Sequence, residues 1–347
     1  MNIVTNKTTL KTVIPIIDDD KKLIILKQLN HCVVLSHGIS SKSIETSLLY
    51  NFLNKYQPYF KKGYTMIIFN PTEGHNLDKV VISNGEYTLY DVFDKFYPHV
   101  KIISSNLLDT KYNIPYALWF EPHLIYPTIH SSNISIPKNY SKHFLYQNRI
   151  PKLERTYLYN KMIENNLLDY CMYSWNVENI KKYPGRNPNH KNMLLETSIA
   201  NYNKIDNHTE FIDMSSLNSF YKNTFCSILV ESEIDEDIIF FTEKTTKAIA
   251  NKHPFIFFNS PYSIKKLKEF GFKTFDKWWD ESYDTISDIN ERIGKIIELI
   301  TQLSKKNNNE LIQIRKEMDA ILTHNRNNLF FLKDNYPNYF KYSYLLA

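Results

Sequence analysis

Hydrophobic positions fall into short runs separated by amphipathic stretches of helical period. "HCVVLSHGI" (His31 to Ile39) is a β-branched run closing on Ser-His-Gly, and "SIETSLLYNFLNKYQPYF" behind it repeats its apolar positions at helical spacing. "YTMIIFNP" and "HVKIISSN" read as two further strands, with "TLYDVFDKFYP" as a helix between them. Strands alternating with helices predict a parallel sheet. The following "NIPYALWFEPHLIYPTIHSSNISIPKNYSKH" has no period. Its prolines and aromatic residues mark irregular structure leading to a boundary near residue 140.

A second run of the same kind follows. "HFLYQNR" predicts a strand and polar turn, "PKLERTYLYNKMIENNLLD" a helix, and "YCMYSW" a strand. After the loop "KYPGRNPNHKN" and a mixed segment come strands at "TFCSILVES" and "DIIFF", a helix at "TEKTTKAIANK", a strand at "PFIFFNS", and a helix at "YSIKKLKEFG" capped by Gly271. From Ile286 to Asn325 two amphipathic helices are separated by "SKKNNN", and no internal repeat occurs at solenoid periods. The expected fold is α/β, with two Rossmann-like domains facing across a cleft. The expected divisions are 1–140, 141–285 and C-terminal helices over 286–347.

Composition narrows the function without naming it. A chain of 347 residues exceeds the usual single core, and 43% hydrophobic content with 25 Tyr and 21 Phe supports packed domains. Abundant Asn, Lys, Ile and Tyr beside seven glycines resembles the output of an AT-rich genome, so single residues of those types carry little information. A net charge of +5 without a Lys/Arg block permits an anionic ligand but does not demand one. The three cysteines, Cys32, Cys171 and Cys226, lie far apart with no C-x-x-C spacing and suit reduced thiols. The N-terminus has no apolar leader and no window of about 18 apolar residues occurs, so the expected location is cytoplasmic, with no membrane span.

The chemistry centres on "DIIFFTEKTTKAIANKHPFIFFNSP". Thr242 can cap a helix starting at Glu243, and "PFIFF" supplies the next parallel strand of a βαβ unit. The helix's amino end then faces the carboxyl edge of the sheet, where unpaired N–H groups and the macrodipole favour a phosphate. Lys244 and Lys247 add charge from the first two turns. Glu243 either complements the dipole or accepts hydrogen bonds from ribose or sugar hydroxyls. Asp235-Glu236-Asp237 has the form of a metal-binding Asp-x-Asp, but acidic triplets recur at Asp18-Asp19-Asp20, and an acidic loop is the preferred reading.

The segment "FFTEKTTKAIANKHPFIFFNSP" resembles the Thr-Glu-Lys motif of the α1,3-fucosyltransferases and of the broader fucosyltransferase-like and exostosin-like glycosyltransferases of GT-B fold. "FLYQNRIPKLERTYLYNKMIENNLLDY" is similar to the segment opening their donor domain, and "GFKTFDKWWDESYD" extends the likeness to phage and marine-virus members. The resemblance covers roughly the second half of the chain. It implies that Lys244 contacts the donor diphosphate and Glu243 the donor sugar or ribose. An arginine of the Asn148 segment, Arg149 or Arg155, would be the second phosphate contact. Phe241 stands where the family has an aromatic residue, Thr242 opens the motif, and Glu231 ends a nucleoside-facing strand.

The implied activity is transfer from a nucleoside-diphosphate sugar to a hydroxyl, inverting and independent of metal or other cofactor. The acceptor would be a glycan or, in a phage or viral setting, a hydroxymethylated DNA base. A general base would come from His37, Glu73 or Glu121, with His37 preferred for its Ser-His-Gly turn. The runner-up is a GT-B-like binding or scaffold protein without chemistry. No G-x-G-x-x-G, Walker A or G-x-S-x-G sequence occurs, and the eleven histidines form no zinc signature. "WWDESYD" reads as an aromatic sugar or base platform or as a packed loop.

Overall fold

A computed structural model describes residues 136–148, 152–175, 214–231 and 238–339 with 234 and 236. From the first 115 residues it describes 3–5, 32–36, 57, 58, 61, 65–70, 81–82, 87–96, 100–104, 106–108 and 113–115. The chain divides into two compact units. One is Met1–His123 with Asp235–Phe240 and Phe331–Ala347, and the other is Leu124–Ile234 with Phe241–Phe330.

In the first unit the β-branched runs pair as expected. Strands β1 (Ile3–Thr5), β2 (Cys32–Ser36), β3 (Thr65–Asn70), β6 (Val100–Ser104) and β7 (Asn113–Pro115) form a parallel sheet in that spatial order. A small antiparallel pair, β4 (Val81–Ile82) and β5 (Tyr87–Thr88), precedes helix α1 (Leu89–Phe96), whose Phe93 is fully buried.

The second unit contains β8 (Lys142–Asn148), α2 (Leu153–Glu164), β9 (Cys171–Trp175), α3 (Met214–Asn223), β10 (Thr224–Val230), α4 (Glu243–Ala250), β11 (Phe255–Phe258) and α5 (Ser263–Glu269). Three helices follow: α6 (Ile289–Ser304), α7 (Asn308–Glu317) and α8 (Asp319–Tyr339). The strands form a parallel sheet in the order β11-β10-β8-β9. Every residue of β10 and β11 is buried. This is why "TFCSILV" and "FIFF" are continuously apolar, not alternating: helices cover both faces of such a sheet. Phe144 and Tyr146 of β8, Leu158 and Met162 of α2, and Ile296 and Ile300 of α6 belong to this core.

Local signals fix the ends of the helices. Gly271, at φ +83°, closes α5: its N–H donates to Lys268 O and the Phe272 N–H to Leu267 O, the paired bonds of a Schellman motif. Leu267 and Phe272 are both buried beside it. Asn307 and Glu310 form a reciprocal capping box at the start of α7. The tail holds three helices, not two, because the pattern breaks again at Met318 between α7 and α8.

Of "DIIFF", the described residues 238–241 form no strand of the sheets, contrary to the sequence expectation. Ile238 forms only an isolated bridge, although 238–242 are all buried. Its backbone is satisfied in another way. The Ile239 N–H donates to Asn106 Oδ1 at 3.0 Å, and Ile239 O accepts from the Leu107 N–H at 2.7 Å. An apolar run therefore became a buried connection, because a side-chain amide supplied what a ladder would have. The βαβ unit around α4 is consequently β10-α4-β11.

Candidate functional site at a sheet switch point

Strand order creates the site. From β8 the chain crosses to β9 on one side, and from β10 it crosses to β11 on the other, while β8 and β10 are neighbours. Two right-handed crossovers running in opposite directions place α2 and α4 on opposite faces. The carboxyl ends of β8 and β10 are thus a topological switch point, the place where open α/β sheets form a crevice. Asn148 is the last residue of β8, and Glu231 follows the last residue of β10. Extending the register Ser227↔Leu145 by three residues sets Asn148 level with Val230.

Glu231 ties the end of β10 to the start of α4. Its side chain is wholly buried. Oε1 accepts from the Thr242 N–H at 3.1 Å and the Thr245 hydroxyl at 2.5 Å, and Oε2 accepts from the Thr242 hydroxyl at 2.5 Å. Lys244 Nζ lies 3.9 Å from Oε2. Three donors and a cation offset the desolvation of this carboxylate. Thr242 is the helix cap that the sequence predicts: its Oγ1 accepts the Lys244 N–H at 3.2 Å. Two of the donors that an approaching phosphate would use are therefore already engaged within the protein.

Arg155, in the first turn of α2, is 4% exposed. Its Nη2 donates to Glu231 O at 2.9 Å and Val230 O at 3.5 Å. The guanidinium clamps the end of β10 from the α2 side, while the Glu231 carboxylate holds α4 from the other. Tyr146 Oη donates back to Arg155 O at 3.4 Å.

Outward-facing chemistry comes from the first turns of α4. The Glu243 side chain is 40% exposed and that of Lys244 20%, and their charged atoms are 4.0 Å apart. Burial pushes the Glu243 carboxyl up, but Lys244, Lys247, its own N–H and Arg155 outweigh it and hold the carboxyl below its ordinary range. Lys244 Nζ has a further partner in Thr242 Oγ1 at 3.3 Å. Lys247, one turn on, is half-buried.

The structure thus brings Asn148, Arg155, Glu231, Thr242, Glu243, Lys244 and Lys247 to the switch point and the helix beside it. His37, Glu73, Glu121 and Arg149 lie outside the described residues. Sequence reasoning missed Thr245, whose hydroxyl is buried on Glu231. Its position three residues past the cap, facing the core, is the only local signal. Trp279 is buried against Phe275 with ring centroids 5.1 Å apart, and Trp278 Nε1 donates to Glu317 Oε2 at 3.1 Å. Of the two readings of "WWDESYD", the structure shows the packed loop. Among the described residues no group of three or more His, Cys, Asp or Glu could hold a metal, and no helix is long and apolar enough to cross a membrane. No protein-family model matches the chain, and no curated protein matches it.

Proposed function

We propose that the chain is a GT-B glycosyltransferase that binds a nucleoside-diphosphate sugar at this switch point and transfers the sugar to a hydroxyl acceptor. The observation supporting this reading is a carboxyl edge furnished with two cations and one ionised carboxylate, Lys244, Lys247 and Glu243, on a helix held in place by Glu231. In the reaction, an acceptor oxygen attacks the anomeric carbon while a base from the N-terminal half takes its proton. The sugar–phosphate bond breaks and the nucleoside diphosphate leaves with the electron pair. Lys244 and Lys247 would stabilise the charge growing on the leaving group, the task a metal performs in other transferases. Glu243 would accept from sugar or ribose hydroxyls. The acceptor class is a glycan or a hydroxymethylated DNA base, and a DNA acceptor requires binding that weakens steeply with salt.

A second reading, a GT-B-like binding or scaffold module without chemistry, also has a specific observation behind it. Arg155 is committed to backbone carbonyls, and the Thr242 and Lys244 N–H groups to Glu231 and Thr242. A thermal-shift series with uridine, guanosine and cytidine diphosphate sugars tests binding. A cognate donor at about 100 times Kd should raise Tm by about 5 °C. Lys247→Ala should weaken that donor about tenfold without altering the unliganded Tm, a cleaner variant than one at Lys244, which neighbours a buried anion. No shift with any activated sugar defeats the proposal. Binding without transfer or donor hydrolysis selects the second reading.

A further inference from the structure

Asn148 ends β8 and is 1% exposed, yet neither its Nδ2 nor its Oδ1 has a hydrogen-bond partner. Tyr146 shares its face of the strand, since side chains two residues apart point the same way. The Tyr146 hydroxyl is close enough for the amide to favour its ionised form, against the burial that raises its pKa. That hydroxyl is nevertheless directed to Arg155 O, on α2. Asn148 therefore sits on the α2 side of the switch point, at the last position of the strand, with an amide donor that lies beside the Tyr146 hydroxyl without a well-formed bond and an acceptor oxygen that has no partner. Most buried side-chain amides in folded proteins are paired; Asn160 and Asn251 each leave their Oδ1 without a partner here, but Asn148 leaves both atoms so, and that calls for an explanation.

We infer that the Asn148 side chain reads the nucleoside part of a bound nucleoside diphosphate, through a neutral group that offers one acceptor and one donor together. A base edge and a ribose hydroxyl both have this chemistry. Charge separates the duties: Lys244 and Lys247 on α4 meet the diphosphate, and the uncharged amide at the end of β8 meets the part that carries no charge. An amide suits the second task because it loses little when the partner is neutral and gains most when both of its atoms are paired. This assignment rests on the proposed ligand class, not on sugar transfer.

Calorimetric titration of uridine diphosphate, guanosine diphosphate, their 2′-deoxy forms and inorganic pyrophosphate into the full chain provides the test, with Asn148→Ala and Asn148→Leu as variants. Both variants should keep the unliganded Tm, because removing an unpartnered amide removes no bond; Asn148→Leu should equal or exceed the wild type. Each should weaken the preferred nucleoside diphosphate by about tenfold or more while leaving pyrophosphate binding unchanged. Dependence on the base implicates its edge, and loss with the 2′-deoxy form implicates the ribose. A marked fall in Tm in both variants, equal weakening of pyrophosphate, unchanged nucleotide binding, or no nucleotide binding by the wild type would each overturn the inference. If nucleotides bind with this dependence but sugar donors are neither transferred nor hydrolysed, the inference stands and the transferase reading alone fails.

Discussion

At the scale of single residues, Glu231 decides how the site is built. A carboxylate with no exposed surface persists only where donors and a cation replace its water. Here Thr242 and Thr245 supply three donors and Lys244 the charge. Glu231→Gln exchanges one acceptor oxygen for an NH2 that faces hydroxyl donors, and should cost about 2 kcal/mol in denaturant unfolding. Lys244→Ala strips the buried anion of its nearest cation and should cost about 1 kcal/mol, less than a dry pair because the ammonium is partly solvated. Once Glu231 is neutral, losing Lys244 should matter little, so the double variant should fall short of the sum of the singles. Strict additivity would show that the two charges do not sense each other. This network was only partly legible in the sequence. The cap at Thr242 shows itself, being a threonine one residue before a helical pattern. The Glu231 contacts do not, because they depend on the chain returning to the end of β10 eleven positions later.

At the scale of elements, the strands were legible wherever side chains and ladder agree. The runs around Val33, Ile67, Ile102, Leu145 and Ile228 are apolar and do form strands. "DIIFF" has the same composition, yet its amide and carbonyl at Ile239 are taken by residues 106 and 107, more than 130 positions away, which no local pattern announces. Helix termini were better signposted, and Gly271 shows why. At φ +83° only glycine is unstrained, and a Cβ there would stand 3.3 Å from Asn328 Nδ2. Gly271→Ala should therefore destabilise the chain by about 1–2 kcal/mol, chiefly through backbone conformation. Asn328→Ala opens the space without relieving the φ, so it should not rescue Gly271→Ala; rescue in thermal melts would instead place the cost in the contact.

At the scale of the whole molecule, stability should depend on pH through a histidine that follows the carboxyl end of α4, the end opposite the candidate chemistry. His253 is buried between α3 and β10: its Nε2 lies 3.0 Å from Thr224 O and its Nδ1 2.8 Å from the Ser227 hydroxyl, and Tyr221 packs edge-on at 5.1 Å. A carbonyl can only accept, so Nε2 carries the proton of the neutral ring and Ser227 donates to Nδ1. Burial, opposed by the bond to Thr224 and reinforced by Arg315, lowers its pKa to about 3. Between that value and the 6.5 of an unburied histidine, only the unfolded chain binds the proton, so stability is full above that range and is lost as pH falls through it. The slope approaches about 1.4 kcal/mol per pH unit, or about 2 kcal/mol between pH 7 and 5. Glu281 and Asp284 act in the other direction, since burial raises both carboxyls and the folded state takes their protons first. Glu243 and Asp319, both held below the ordinary range, add losses at lower pH. His253→Gln can still donate to Thr224 O and accept from Ser227 but cannot be protonated. In urea unfolding from pH 7 to 5 the variant should begin less stable and run nearly flat, while the wild type declines toward it. Parallel profiles would mean that another group carries the acid sensitivity.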